Sequence, residues 1–337
     1  MRPLALTLGE PAGIGPDLAL ALWTGKDRLG VPPFLLVGDP ALLAARARLL
    51  KLKVPIAESE ADEAASRFAS ALPVLSIDQA AKAAPGKPDA TSAACARAAI
   101  ERAVALVRAG KAAALVTNPI AKAVMQAAGF AFPGHTEFLA HLAAAPGMSP
   151  PRPVMLIWCE ELAVVPVTIH VPLAEVPRLL TTDLIVETGR IVARDLARRF
   201  GIARPRLALA GLNPHAGEHG TIGREDEEVV RPAVERLKAE GISASGPHAA
   251  DTLFYPAARA RYDVALGMYH DQVLAPVKTI AFERAVNVTL GLPFVRTSPD
   301  HGTAFELAGT GRADPSSLLA ALKLARRLAD AEAPAAR

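Results

Sequence analysis

Leu207-Ala208-Leu209-Ala210-Gly211-Leu212-Asn213-Pro214-His215-Ala216-Gly217-Glu218 decides the fold class. Four apolar residues pass directly into a loop of Gly, Asn, Pro and His, which reads as a short buried strand with a polar loop at its carboxyl end. The same pattern recurs on both sides. Strands are expected at 4–8, 34–37, 113–116, 154–157, 164–169, 263–266 and 286–289. Between them lie helical spacings at 91–109, 182–200, 225–240 and 315–329, the first with an apolar face drawn through Ala94, Ala98, Ile100, Val104 and Val107. Strands alternating with helices define an α/β fold with a largely parallel sheet. The loops after several strands, at 9–17, 117–122, 170–173, 211–223 and 269–278, are rich in Gly, Pro and polar residues. At the carboxyl ends of parallel strands such loops are expected to converge on one crevice. Residues 81–90 and 144–153 read as linkers, 331–337 as a frayed end, and no internal repeat is visible.

Composition narrows the classes. The chain has 337 residues with 37 Lys plus Arg against 34 Asp plus Glu, a net charge of +3, which is too balanced for a dedicated nucleic-acid surface. At 51% hydrophobic and 21% charged it is a compact globular chain of about two domains, not a disordered one. Cys95 and Cys159 are too few for a disulfide framework or a thiolate metal centre, and both read as packing residues. A reducing, cytoplasmic setting is the expectation. The N-terminal apolar run is too short for a signal-peptide core, and the apolar stretch 153–169 carries Glu160, Glu161 and three prolines, which argues against a membrane span.

The chemistry should lie with the eight histidines. His170, His215 and His270 each follow a strand-like run at its carboxyl end. Three neutral imidazoles with an open position suit a catalytic divalent ion such as zinc or cobalt. For any one of them alone, a turn cap explains the residue as well. Asp251 and Asp271 stand nearby as orienting groups, further ligands or acid/base groups. No HExxH occurs. Gly134-His135-Thr136-Glu137 opens an expected helix, with Thr136 as its N-cap and His135 at an end suited to anions. Lys278, Asn287 and Arg296, nine residues apart, lie near or beyond the ends of the last strand-like segments and together could take a phosphate. Gly9-Glu10-Pro11-Ala12-Gly13-Ile14-Gly15-Pro16 lacks both the P-loop Lys-Ser/Thr and the GxGxxG spacing. His301 to Gly309 offers glycines and backbone amides before a short helix. The run Arg224-Glu225-Asp226-Glu227-Glu228 reads as the solvated first turn of a helix, without functional weight.

Taken in order, Gly9 to Asp17, Gly134-His135-Thr136-Glu137, Gly211 to Glu218, Met268-Tyr269-His270-Asp271-Gln272, and Asn287 to Gly302 resemble the 4-hydroxythreonine-4-phosphate dehydrogenase family of vitamin B6 biosynthesis. The resemblance spans almost the whole chain. It implies a two-lobed α/β/α architecture similar to isocitrate and isopropylmalate dehydrogenases, with the active site in the interlobe cleft. A cofactor-side lobe of 1–128 plus 283–337 and a metal, substrate and dimerisation lobe of 129–282 are expected. It further implies an NAD- or NADP-dependent homodimer whose sites are shared between subunits. One divalent ion (zinc, cobalt or magnesium) is implied on His170, His215 and His270. Substrate contacts are implied from His135, Thr136, Lys278, Asn287 and Arg296, and Lys278 joins Asp251 and Asp271 as a candidate catalytic group. His301, Gly302, Thr303 and Ala304 look like the adenosine-side cofactor loop of the related dehydrogenases. Two positions depart from the family pattern: Pro299 replaces an aliphatic residue, and His219 adds a histidine beside His215.

The activity implied is oxidation and decarboxylation of 4-phosphohydroxy-L-threonine to 3-amino-2-oxopropyl phosphate. Relatives acting on 4-phospho-threonate or erythronate share many of these motifs. A metal-dependent phosphohydrolase or phosphotransferase, and a non-catalytic module that binds phosphorylated metabolites, are the readings from other classes. No nucleic-acid or membrane partner is expected.

Overall fold

The computed structural model describes residues 1–332. Twelve strands run in chain order. They are β1 (Leu4–Thr7), β2 (Phe34–Gly38), β3 (Ile56–Glu58), β4 (Leu72–Ser76), β5 (Leu115–Thr117) and β6 (Val154–Cys159). Then follow β7 (Leu162–Thr168), β8 (Leu207–Ala210), β9 (Ala244–His248), β10 (Val264–Tyr269), β11 (Val286–Leu290) and β12 (Arg296–Pro299). The chain divides into two compact units, one of Met1–Pro153 with Leu292–Asp330, the other built on Val154–Gly291.

In the first unit the strand order is β3-β4-β2-β1-β5-β12, and every pairing is parallel. β1 and β2 are buried along their whole length, which is why both read as unbroken apolar runs rather than as alternating ones. The helix Ala90–Arg108 starts from a capping box in which Asp89 accepts from the Ser92 amide and Ser92 accepts from the Asp89 amide. Its core face is Ala93, Ala96, Ile100, Ala103, Val104 and Val107, and Ala94 is exposed. The expected face was turned toward Ala94 and Ala98 because a run of alanines carries almost no periodic signal.

The helix His135–Ala143 belongs to this same core. Its Phe138 and Leu139 are buried with Ile100, Leu106 and Phe294. Phe138 also packs edge-on to Phe130, with ring centroids 4.9 Å apart. Residues 129–153 therefore lie with the first unit instead of with 154–282. At the other end, β11 pairs antiparallel with β6, which places 283–291 in the second unit.

The second unit has the order β11-β6-β7-β10-β8-β9. β6 is antiparallel to both its neighbours, β11 and β7, and β7, β10, β8 and β9 are parallel. Glu160 and Glu161 form the turn between β6 and β7, with Glu161 held by Arg284 at 2.9 Å. The two charges that argued against a membrane span thus mark a hairpin. Among the described residues no helix is long and apolar enough to cross a membrane.

Four strands escaped the sequence reading. β3 is short and lies at the edge, β4 contains Pro73, β9 is polar and holds the cis Gly246-Pro247 bond, and β12 reads Arg-Thr-Ser-Pro yet is fully buried. The expected helix 225–240 starts as a π-helical turn, Asp226–Val230, and continues as the α-helix Arg231–Ala239. The expected fraying of 331–337 falls mostly on residues 333–337, outside the described residues.

Candidate active site

β7, β10 and β8 are adjacent and parallel, so their carboxyl ends lie side by side in the second unit. His170 follows β7, His270 opens the helix His270–Ala281 directly after β10, and His215 lies in the loop after β8. The rings of His170 and His270 lie with centroids 5.6 Å apart and their planes tilted by 44°, in a cleft of about 280 Å³ lined also by Thr168, Val176 and Tyr269. Two imidazoles sharing one tetrahedral ion through bonds of ~2.1 Å would place their centroids roughly 5–6 Å apart, so this pair fits a divalent ion. His270 Nδ1 lies 2.6 Å from Asp271 Oδ1, an arrangement that orients the ring and, with the proton on Nδ1, presents the Nε2 lone pair to an ion. The third ligand is not gathered: among the described residues no group of three or more His, Cys, Asp or Glu side chains is close enough to hold a metal ion.

His215 sits in an unusual loop. Residues 215–219 all have positive φ, from 43° to 75°, a left-handed turn of which only Gly217 is a glycine. Asp226 anchors the mouth of this loop: it is fully buried, and its Oδ1 accepts from the Leu212 amide at 2.7 Å. The sequence reading gave Asp226 to a solvated charge run. The structure corrects this, because the loop amides take up the carboxylate while Arg224 and Glu228 stay on the surface. His219 is 93% exposed in its side chain and lies 3.9 Å from Glu227.

The other candidates of this unit are more open. Asp251 is exposed on the turn Ala250–Thr252, which packs against the His215 loop. Asp271 is exposed, and Lys278 is half-buried on the helix His270–Ala281 with Nζ over the Phe282 ring. Asn287 is half-buried inside β11 rather than beyond a strand end.

In the first unit Arg296 is the first residue of β12 and only 4% exposed. Its Nε and Nη2 donate to the Thr117 hydroxyl at 3.2 and 2.7 Å. Burial pushes the guanidinium down to about 10. His135 opens the helix His135–Ala143; Gly134 is the N-cap and no side chain caps this end. Thr136 is therefore the second helical residue and not the cap. Burial, reinforced by the Arg296 charge, holds the His135 imidazole well below its ordinary value, and its buried Nε2 has no hydrogen-bond partner in the protein. A buried cation, a neutral imidazole and an uncapped helix start make a cradle for an anion.

A pH dependence follows from His135. The folded state keeps the ring neutral while the unfolded chain takes up a proton near pH 6.5, so this stability is present above pH 6.5 and is lost as pH falls below it. His248 shifts in the same direction. Urea unfolding between pH 5 and 8 should show His135→Gln losing less stability on acidification than wild type, by up to ~1.4 kcal/mol per pH unit. Identical slopes would contradict the buried neutral imidazole.

The loops 9–17 and 301–309 are tied together in this unit. Ile14 N donates to Thr303 O at 3.1 Å, and a Cβ on Gly13 would lie 3.0 Å from that same oxygen. Arg46 donates to Pro11 O and Gly13 O, both at 3.0 Å, and forms a buried ion pair with Asp17. Asp17 in turn accepts from Gly309 N at 2.7 Å. His301 is half-buried with Nδ1 against the Gly302 carbonyl, Gly302 is exposed, and Ala304 takes a positive φ of 42° before the turn Phe305–Leu307. Nothing in the sequence marks Arg46, and Thr117 is marked only as the first residue of the loop 117–122. Cys95 is buried, which pushes its thiol up to about 12 and makes it a packing residue.

An α/β unit with a mixed sheet that presents imidazoles at strand ends, and a parallel α/β unit with a cationic cradle at a helix start, define an α/β protein of the enzyme type. The chain belongs to the PdxA family, since the family model described as "Pyridoxal phosphate biosynthetic protein PdxA" matches residues 31–325. It is 67% identical over 331 residues to the 4-hydroxythreonine-4-phosphate dehydrogenase of Xanthobacter autotrophicus, covering 98% of this chain and 95% of that protein. The crystal structure of 4-hydroxythreonine-4-phosphate dehydrogenase from Klebsiella pneumoniae superposes with a TM-score of 0.86 at 35% identity, covering 97% of this chain and 98% of that one. A terephthalate 1,2-cis-dihydrodiol dehydrogenase from Burkholderia xenovorans LB400 superposes at 0.65 with 29% identity, covering 96% and 97%.

Proposed function

We propose that this chain oxidises and decarboxylates 4-phosphohydroxy-L-threonine to 3-amino-2-oxopropyl phosphate in pyridoxal phosphate biosynthesis, with NAD or NADP as oxidant. The observation that carries this reading is the cradle of buried Arg296, half-buried His135 and the uncapped helix start, found in a chain so similar to relatives bearing that enzyme's name. In the reaction C3 of the substrate gives a hydride to C4 of the nicotinamide, and its hydroxyl gives up a proton. The β-keto acid then loses carbon dioxide, and a proton replaces the carboxyl group.

Arg296, His135 and Thr136 would bind the phosphate. Lys278 and Asn287 are the further candidates for substrate contact. His170, His215 and His270 would hold a divalent ion (zinc, cobalt or magnesium). When bound, that ion supplies Lewis-acid stabilisation of the negative charge that develops on oxygen in both steps. Asp271, 2.6 Å from His270 Nδ1, would orient that ring so that Nε2 meets the ion. Asp251, Asp271 and Lys278 are the proton-transfer candidates. His301, Gly302, Thr303 and Ala304 would contact the adenosine side of the cofactor. A homodimer would complete each site with groups from both subunits. A cytoplasmic setting suits a biosynthetic step that uses this cofactor.

A relative of this fold at 29% identity carries the name of a different dehydrogenase, and 4-phospho-threonate and erythronate are the competing substrates implied by the family resemblance. Following absorbance at 340 nm with each acid, with NAD and with NADP, decides between them; the proposal expects the highest kcat/KM with 4-phosphohydroxy-L-threonine. Arg296→Gln should raise KM for that substrate roughly 10- to 150-fold, the effect of ~1.5–3 kcal/mol expected of a charged hydrogen bond, with a smaller change in kcat. An unchanged KM would remove Arg296 from the phosphate site.

A further inference from the structure

We infer that Asp226 is a positioning residue for the metal ligand His215, acting by locking the loop 215–219 into its left-handed turn; this rests on the assignment of His215 proposed above. Five consecutive residues have φ of 53°, 54°, 75°, 43° and 56°, and four of them are not glycine. Each non-glycine residue in this region costs roughly 1–2 kcal/mol, so the turn persists only because its surroundings enforce it.

The enforcing groups converge on one carboxylate. Asp226 Oδ1 accepts from the Leu212 amide at 2.7 Å, and Oδ2 accepts from the Asn213 amide at 3.0 Å and from Asn213 Nδ2 at 3.1 Å. Glu225 Oε2 takes Asn213 Nδ2 at 2.8 Å. Gly217, at the centre of the turn, lies against the same group, since a Cβ there would sit 3.1 Å from Oδ2. The carboxylate is fully buried at the N-terminus of the helical stretch 226–239, whose dipole favours its charge.

The other side of the loop is tied to the strand end that carries His270. Gln272 Nε2 donates to Gly211 O at 2.6 Å and Gln272 Oε1 accepts from Met268 N at 2.7 Å. One hub therefore fixes the course of the chain into His215, and a second links that course to His270. A group of this kind acts on ligand geometry and should be felt as metal affinity, typically roughly 10- to 100-fold.

The test titrates Co²⁺ into the metal-free full-length protein, following the cobalt absorption bands, and measures amide hydrogen exchange over 211–219. Asp226→Asn puts an amide NH₂ where one carboxylate oxygen accepts two N–H groups. It should weaken cobalt binding roughly 10- to 100-fold, speed exchange in the loop, and recover kcat at saturating metal. Asn213→Ala removes only the Nδ2 contacts and should shift affinity in the same direction by less; it serves also if Asp226→Asn does not fold. Wild-type cobalt affinity in the folded Asp226→Asn protein, or in Asn213→Ala when Asp226→Asn does not fold, overturns the inference, provided His215→Ala has lost the metal. Wild-type affinity in His215→Ala overturns the ligand assignment itself, and the inference with it.

Discussion

Arg46→Met is expected to destabilise the protein by about 3–5 kcal/mol at pH 7, because it leaves the Asp17 carboxylate buried without its cation. Both side chains are almost wholly enclosed, at 3% and 4% exposure. Burial already pushes the Asp17 carboxyl above its ordinary value, against the opposing pull of Arg46 and the Gly309 amide. Without Arg46 it should move higher. A carboxyl raised in the folded state binds its proton more tightly there than in the unfolded chain. Its contribution is therefore present at low pH and is lost as pH rises through the folded value. The penalty in Arg46→Met should accordingly ease as pH falls from 8 to 5, and Asp17→Asn in the same background should recover part of it. Urea unfolding across that range measures both effects. A cost below about 1 kcal/mol, or one independent of pH, would contradict the account. Arg46 also holds Pro11 O and Gly13 O, and the neighbouring Ile14 amide is bonded to Thr303 O, so the variant should raise KM for the dinucleotide if His301, Gly302, Thr303 and Ala304 contact it as proposed.

His215→Ala is expected to lower turnover on the order of 10³-fold, since an ion acting as Lewis acid contributes several kcal/mol to the barrier and 1.36 kcal/mol corresponds to tenfold. His170→Ala and His270→Ala should behave alike. His219→Ala should stay within about twofold, because that side chain is 93% exposed and faces Glu227 rather than the strand ends. Steady-state rates with metal analysis of each purified variant check the set. A large loss in His219→Ala with little in His215→Ala would reassign the ligand within the loop.

The parallel α/β class was legible because β1, β2, β8 and β10 are continuous apolar runs bounded by turn residues. β12 was not, since a buried Arg-Thr-Ser-Pro strand has the composition of a loop. Its polar groups are satisfied inside: Thr297 donates to Ala321 O and Arg296 to Thr117. Pattern reading cannot see satisfaction that comes from residues far away in the chain. The histidines at strand ends were visible because each stands next to a strand signal. Asp226 was not, because in sequence it is one of several acids at a helix start, and only the fold shows which one turns inward. Thr136 failed as an N-cap for a related reason: helix starts are set by backbone geometry, and Gly134 provides it here. The resemblance carried residue assignments further than composition or spacing could.

The most direct measurement is the stoichiometry of a single turnover series with 4-phosphohydroxy-L-threonine, NAD and the metal-loaded protein. The account predicts one NADH and one carbon dioxide per substrate consumed, with no inorganic phosphate released. Chelation should stop the reaction and added Co²⁺ or Zn²⁺ should restore it. Phosphate release without a rise at 340 nm would contradict the dehydrogenase account and favour a phosphohydrolase.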